Sequence, residues 1–220
     1  VSYEVPLGLS VLAVCMICGT LDLQEISFQQ SILHQQQYLF GIRAWAIDIS
    51  DIGGILTWNI FRMPFLFFAW VIFFIASLAE CNRTPFDLPE AESELVAGFQ
   101  TEYSGFRWGV IMLAEYGMML LVSILGAVLF FGSWNTPFPN VGVIALADWT
   151  SGTENTWTAT AWGIFWLMGK AVVLVLVQIW VRWSYPRLRV DQLMNVSWKY
   201  LTPFALALVI IAGFWKILVA

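Results

Sequence analysis

Five apolar runs, each close to the length that crosses a lipid bilayer, constrain this chain more than any other feature. They cover roughly 5–21, 63–79, 108–132, 158–181 and 200–219. A helix needs about 20 predominantly apolar residues to span the hydrocarbon core. Only helices and closed barrels satisfy their own backbone polar groups there, and long unbroken runs suit helices rather than alternating strands. The expected fold class is therefore all-α: one polytopic membrane domain over 1–220, with about five transmembrane helices. A composition of 60% hydrophobic and 11% charged residues, with mean hydropathy +0.76, belongs to that class. The formal charge of −5 comes with no basic stripe, which leaves the bilayer as an expected partner and nucleic acid as an excluded one.

The connections differ in chemistry. Residues 22–62 carry Gln29, Gln30, Gln35, Gln36 and Gln37 and are too interrupted to span. They are expected at the membrane interface, with Asp48, Asp51 and the only histidine, His34, toward water. The stretch 133–157, with Pro137, Pro139, Gly142 and Gly152 and no Lys or Arg, reads as a loop. Cys15 and Cys18 form C-x-x-C inside an apolar run, far from Cys81 and from any metal-ligand set. They read as small helix-packing residues, and no metal site is expected. The chain opens Val1-Ser-Tyr-Glu, as if inside a structural element, so a preceding N-terminal part is expected.

Five spans place the N-terminus and the loops 80–107 and 182–199 on one side, with Arg83, Arg107, Arg182, Arg187, Arg189 and Lys199. Arg43, Arg62 and Lys216 fall on the other. By the positive-inside rule the first side is cytoplasmic.

On that side lies a carboxylate run. Glu80, Asp87, Glu90, Glu92, Glu94 and Glu102, six of the chain's fifteen acids, sit within 23 positions beside one arginine, Arg83. Asp87 can cap a helix over 88–98, with Pro89 early and Glu90 in a capping-box position. Capping does not account for Glu80, Glu92, Glu94 and Glu102. A solvated acidic loop is the plain alternative.

Three charges outside the loop weigh against it. Glu115 lies about 10 Å inside the third run at 1.5 Å per residue. Lys170 lies at the middle of the fourth, too deep to snorkel easily, so it should face the protein interior or a hydrated cavity. Glu4 stands at the mouth of the first. Glu4, Glu80, Glu115 and Lys170 thus give the carboxylates and the deeper cation that a proton relay requires. An interhelical ion pair without a transport role is the structural alternative for Lys170. Arg182, Arg187, Arg189 and Asp191 occupy the second loop, whose cations set topology and offset the acids of 80–102.

The run Glu80-Cys-Asn-Arg-Thr-Pro-Phe-Asp-Leu-Pro-Glu-Ala-Glu-Ser-Glu-Leu-Val-Ala-Gly-Phe-Gln-Thr-Glu-Tyr, followed by Met112-Leu-Ala-Glu-Tyr, closely resembles the H-type membrane component of proton-translocating NADH–quinone oxidoreductases, respiratory complex I. Val1-Ser-Tyr-Glu-Val and Tyr185-Pro-Arg-Leu-Arg-Val-Asp-Gln-Leu-Met resemble the same family. The likeness covers essentially the whole chain. It implies eight transmembrane helices in the full-length protein, of which these five would be the fourth to eighth. It matches Glu4, Glu80 and Glu115 to the entrance of a proton path. It matches Asp87, Glu90, Glu92, Glu94 and Glu102 to a cytoplasmic loop lining a quinone cavity, with Arg83 organising those acids. Cys81 stands where many relatives carry threonine.

The resemblance implies a multi-pass component of a bacterial inner membrane that couples quinone reduction to proton translocation. No group in this chain is expected to be catalytic by itself, and no cofactor is expected to be bound by it. Quinone would be the substrate, with FMN and iron–sulfur clusters in partner subunits of a peripheral arm. Two alternatives remain at this stage: a membrane subunit of a related energy-converting hydrogenase, and an anchor subunit without a proton path.

Overall fold

The computed structural model describes residues 2–31, 54–87, 105–139, 150 and 157–219. Among these residues there are helices and no strand. In chain order they are α1 (Glu4–Cys18), α2 (Leu23–Phe28), a 3₁₀ turn (Gly54–Thr57), α3 (Asn59–Arg62), α4 (Pro64–Glu80), α5 (Phe106–Phe130), α6 (Trp157–Ser184), α7 (Val190–Asn195) and α8 (Thr202–Val219). A π-helical turn over Val196–Leu201 joins α7 to α8 without a break.

Local chemistry explains where these helices start and stop. Gly19, at φ 74°, terminates α1 in the left-handed region that favours glycine. The Asp22 carboxylate accepts a bond from the Gln24 N–H at 2.9 Å and caps α2. Pro64 opens α4 at a position where its missing N–H costs nothing.

Three helical stretches are long and apolar enough to cross a membrane: Phe106–Phe130, Trp157–Ser184 and the continuous Val190–Leu218. The other two apolar helices, Glu4–Cys18 and Pro64–Glu80, are shorter, about 22 and 26 Å at 1.5 Å per residue. All five expected runs are thus helical, with shifted bounds. The first ends at Cys18 rather than at 21. The expected loop 182–199 is mostly helix, and only 185–189 lies outside helical structure. The reason is that α6 runs on to Ser184, while Val190 already begins the helix that continues into α8.

Helix α1 packs between α4 and α8, α5 packs against α6, and α4 joins the two groups through α5. Val14, Leu66, Ile72, Leu129, Phe130, Ala205 and Ala212 are buried in these contacts. Gly126 lets α5 approach both neighbours: a Cβ there would lie 3.1 Å from the Phe73 ring and 3.6 Å from the Leu174 side chain. The outer faces of α6 and α8, including Val172, Val173, Leu176, Ile210 and Phe214, are left uncovered.

At the far end of α5 the polar residues perform a task the sequence reading missed. A helix leaves its last four carbonyls without intrahelical partners, and apolar surroundings make each costly. The Gln30 amide donates to the Val128 carbonyl at 3.0 Å, and the Asn59 amide donates to the Leu129 carbonyl at 2.9 Å. The Gln30 oxygen also accepts from the Gly132 N–H at 2.9 Å. Lys170 donates to the carbonyls of Ser133, at 2.9 Å, and Asn135, at 2.6 Å, while its ammonium lies 4.5 Å from the Trp58 ring centre. Gly132, at φ 71°, makes room for Trp58; a Cβ there would sit 2.5 Å from the indole.

The end of α1 is treated the same way. Lys216 donates to the Ile17 carbonyl at 2.8 Å and Gln29 to that of Cys18 at 3.2 Å. Two lysines on neighbouring spans thus answer the negative ends of two helix dipoles. Gln30 is fully buried at this end of the bundle. His34, Gln35, Gln36, Gln37, Asp48 and Asp51 lie outside the described residues.

Candidate functional site

The opposite end of the bundle gathers three segments that are far apart in sequence. The Leu188 N–H donates to the Pro85 carbonyl at 3.0 Å, which ties the 185–189 turn to the start of the carboxylate run. The Tyr3 hydroxyl donates to the Leu193 carbonyl at 2.7 Å, and the Ser197 hydroxyl donates to the Ser2 carbonyl at 2.6 Å. Tyr3 also packs its ring against Phe86, with centroids 5.2 Å apart. Burial pushes the Tyr3 phenol up to about 12, so it remains a hydrogen-bond donor at any physiological pH.

Arg83 is drawn inward from this end. Just past α4 the chain folds back: the Arg83 N–H donates to the Leu78 carbonyl at 3.1 Å and the Phe86 N–H to that of Arg83 at 2.8 Å. The side chain, only 5% exposed, runs to α5. There its Nη2 lies 3.9 Å from the Glu115 carboxylate, and its guanidinium sits 4.4 Å from the Tyr116 ring centre. Among the described residues, Nε and Nη2 of Arg83 have no hydrogen-bond acceptor. A buried guanidinium held by one long ion pair and one ring face is under-supplied, since burying a charge is offset only by close pairing and hydrogen bonds.

Glu80 is half-buried at the last position of α4, next in the chain to Cys81. The neighbouring Cys81 registers it: burial pushes that thiol up to about 11, while Arg83 pulls it down and Glu80 and Glu115 push it further up. Glu80, Arg83 and Glu115, separated by up to 35 positions, are therefore electrostatic neighbours of one buried thiol.

Beside Arg83 opens a cavity of about 200 Å³, lined by Arg83, Tyr116, Met119, Gln178, Arg182 and Trp183 together with Ile179. Gln178 is 3% exposed, and its Oε1 has no hydrogen-bond partner among the described residues. The cavity thus joins the end of α4 to α5 and α6.

The remaining sequence-derived residues divide clearly. Asp87 is buried near the cluster, at 3% exposure. Glu4 lies in the first turn of α1 and is exposed. Arg182 lines the cavity, whereas Arg187, Arg189 and Asp191 are exposed at or beside the 185–189 turn. Glu90, Glu92, Glu94 and Glu102, with the expected helix over 88–98, lie outside the described residues. Lys170 is not paired with Glu80 or Glu115; it is bound to the loop at the other end of α5. Among the described residues its partners are carbonyls, and it also lines a cavity of about 410 Å³ with Trp58, Phe131 and Trp166, in keeping with the expected interior or cavity position. Tyr116 and Gln178 were missed as site residues. The spacing Lys170, Gln178, Arg182, at steps of eight and four, places three polar groups along one side of α6 and was the available signal. Among the described residues no group of three or more His, Cys, Asp or Glu could hold a metal ion.

A family model described as NADH dehydrogenase matches residues 1–213. A relative from Cytophaga hutchinsonii, named as an H-type component of NADH-quinone oxidoreductase, is 60% identical over 99% of this chain and 61% of its own length. Relatives of the same naming are 46% identical in Chlorobium luteolum and 40% identical in Anaeromyxobacter dehalogenans. Each matches 100% of this chain, over 52% and 49% of its own length. The chain thus spans about half to three-fifths of the relatives it matches.

Proposed function

The chain belongs to the NADH dehydrogenase family, and from that membership we propose that it forms part of the quinone cavity of an NADH–quinone oxidoreductase and couples quinone reduction to proton translocation. The observation that carries this reading is the under-supplied Arg83 guanidinium, buried against Glu115 and Tyr116 at the wall of a cavity. A quinone ring offers what that wall can hold, a flat apolar face against the Tyr116 and Trp183 rings.

Reduction of the ring changes the charge beside Glu115 and Glu80 and so alters their readiness to hold protons. These two acids are the proposed relay groups, with Glu4 at the mouth of the neighbouring helix. Asp87, Glu90, Glu92, Glu94 and Glu102 are the proposed coupling loop, organised by Arg83, with the cations of 182–189 balancing its charge. Lys170 is better suited to closing the end of α5 than to moving protons. The cluster end carries Arg83, Arg107, Arg182, Arg187, Arg189 and Lys199, which supports a cytoplasmic placement in a bacterial inner membrane. Electrons would arrive from partner subunits of a peripheral arm carrying FMN and iron–sulfur clusters, and other membrane subunits would cover the outer faces of α6 and α8.

A quinone-based photoprobe applied to the intact complex tests the reading. Adducts within 80–119 and 178–183, suppressed by excess unlabelled quinone, are the expected result. Adducts confined to other subunits would leave this chain as an anchor.

A further inference from the structure

We propose that the cavity at the far end of α5, beside Lys170, is a binding site for one acyl chain of a bilayer lipid. This site lies away from the Arg83 end of the bundle and stands independently of the quinone reading.

On α6, Phe165, Gly169 and Val173 follow at steps of four and form a stripe about 12 Å long at 1.5 Å per residue. Gly169 hollows that stripe: a Cβ built there meets nothing within 4 Å. Trp58, just before α3, and Phe131, just past α5, face α6 across a cavity of about 410 Å³. Phe165 and Val173 line this space and are also 59% and 58% exposed. The cavity therefore opens onto the outer face of α6, beside Val172 and Leu176, which is uncovered among the described residues. Helix α6 is long and apolar enough to cross a membrane, so the medium at that mouth is lipid.

The wall selects among occupants. Water is a poor one: about 410 Å³ equals roughly fourteen waters at ~30 Å³ each, every one needing two to four polar partners. The wall presents almost only carbon. Its charged group, the Lys170 ammonium, is held by the carbonyls of Ser133 and Asn135 and by the Trp58 ring. The indole N–H groups of Trp58 and Trp166 are themselves buried. A helix from a neighbouring subunit is too wide. Spread along the stripe, the cavity is roughly 6–7 Å across, against ~10–12 Å for a helix with its side chains. A single flexible hydrocarbon chain fits the width and the carbon wall, and the bilayer at the mouth supplies it. Since the cation in the wall is already engaged, the site recognises the chain and makes no demand on the headgroup.

The test uses the intact complex in vesicles of phosphatidylcholine carrying a photoactivatable diazirine midway along one acyl chain. Adducts on Trp58 or Phe131, at the inner wall, are the expected result on the unmodified complex. A chain that merely coats the helix reaches Val172 and Leu176 instead, so adducts confined to those positions would overturn the site. Gly169→Leu fills the hollow with a better helix former. It should abolish the inner-wall adducts and leave labelling of Val172 and Leu176 as before. Inner-wall labelling that persists unchanged in Gly169→Leu would contradict the proposal. Suppression of the inner-wall adducts by excess long-chain quinone would also contradict it, assigning the space to a quinone tail.

Discussion

At the residue scale, the chemistry of the cluster is reported by Cys81. Its thiol is raised to about 11 by burial, with Glu80 and Glu115 adding to the rise and Arg83 opposing it. Only the thiolate is nucleophilic and Cys81 is 2% exposed, so alkylation at pH 8 should run at least about a hundredfold slower than for an exposed thiol at the ordinary value of 9. The rate should climb as pH approaches 11. Glu80→Gln removes an acid that raises the thiol, so the pKa falls and labelling accelerates; Arg83→Gln acts in the opposite direction. Peptide mapping after timed alkylation reads both signs. A Glu80→Gln variant that labels no faster would separate Glu80 from the cluster.

At the element scale, the ends of the helices matter as much as their lengths. The sequence marks the spans because apolar runs are local, and all five are helical. It does not mark which polar side chains close their ends, because the carbonyls of Val128 and Leu129 meet Gln30 and Asn59 only after folding. The same holds for Lys170, whose depth invites a relay role while its contacts make it a cap for the turn after α5. Lys170→Met would leave two buried carbonyls without their charged donor, a loss of about 2–4 kcal/mol. The expected phenotype is a lower melting temperature, or reduced assembly, of the complex in detergent. Normal stability with lost proton pumping would restore the relay assignment.

At the scale of the whole molecule, the bundle has two different ends. At one, amides and lysines satisfy helix and loop carbonyls beside a cavity of about 410 Å³. The other holds Glu80, Arg83 and Glu115 with polar capacity to spare beside a cavity. The acids and Arg83 were legible because charge is rare in a chain this apolar and stands out against it. Their meeting at one buried thiol was not, since it depends on α4 and α5 lying side by side. Gln178 escaped notice because a single uncharged amide barely disturbs the hydropathy of its span.

The Glu80–Arg83–Glu115 cluster is proposed to link quinone reduction to proton movement. Proton translocation per NADH oxidised, measured in vesicles holding the intact complex with Glu115→Gln, tests it most directly. Quinone-linked pumping should fall on the order of tenfold or more, as for loss of an essential proton-transfer group, in a complex that still assembles. Wild-type quinone reduction and a wild-type proton yield in that variant would contradict it.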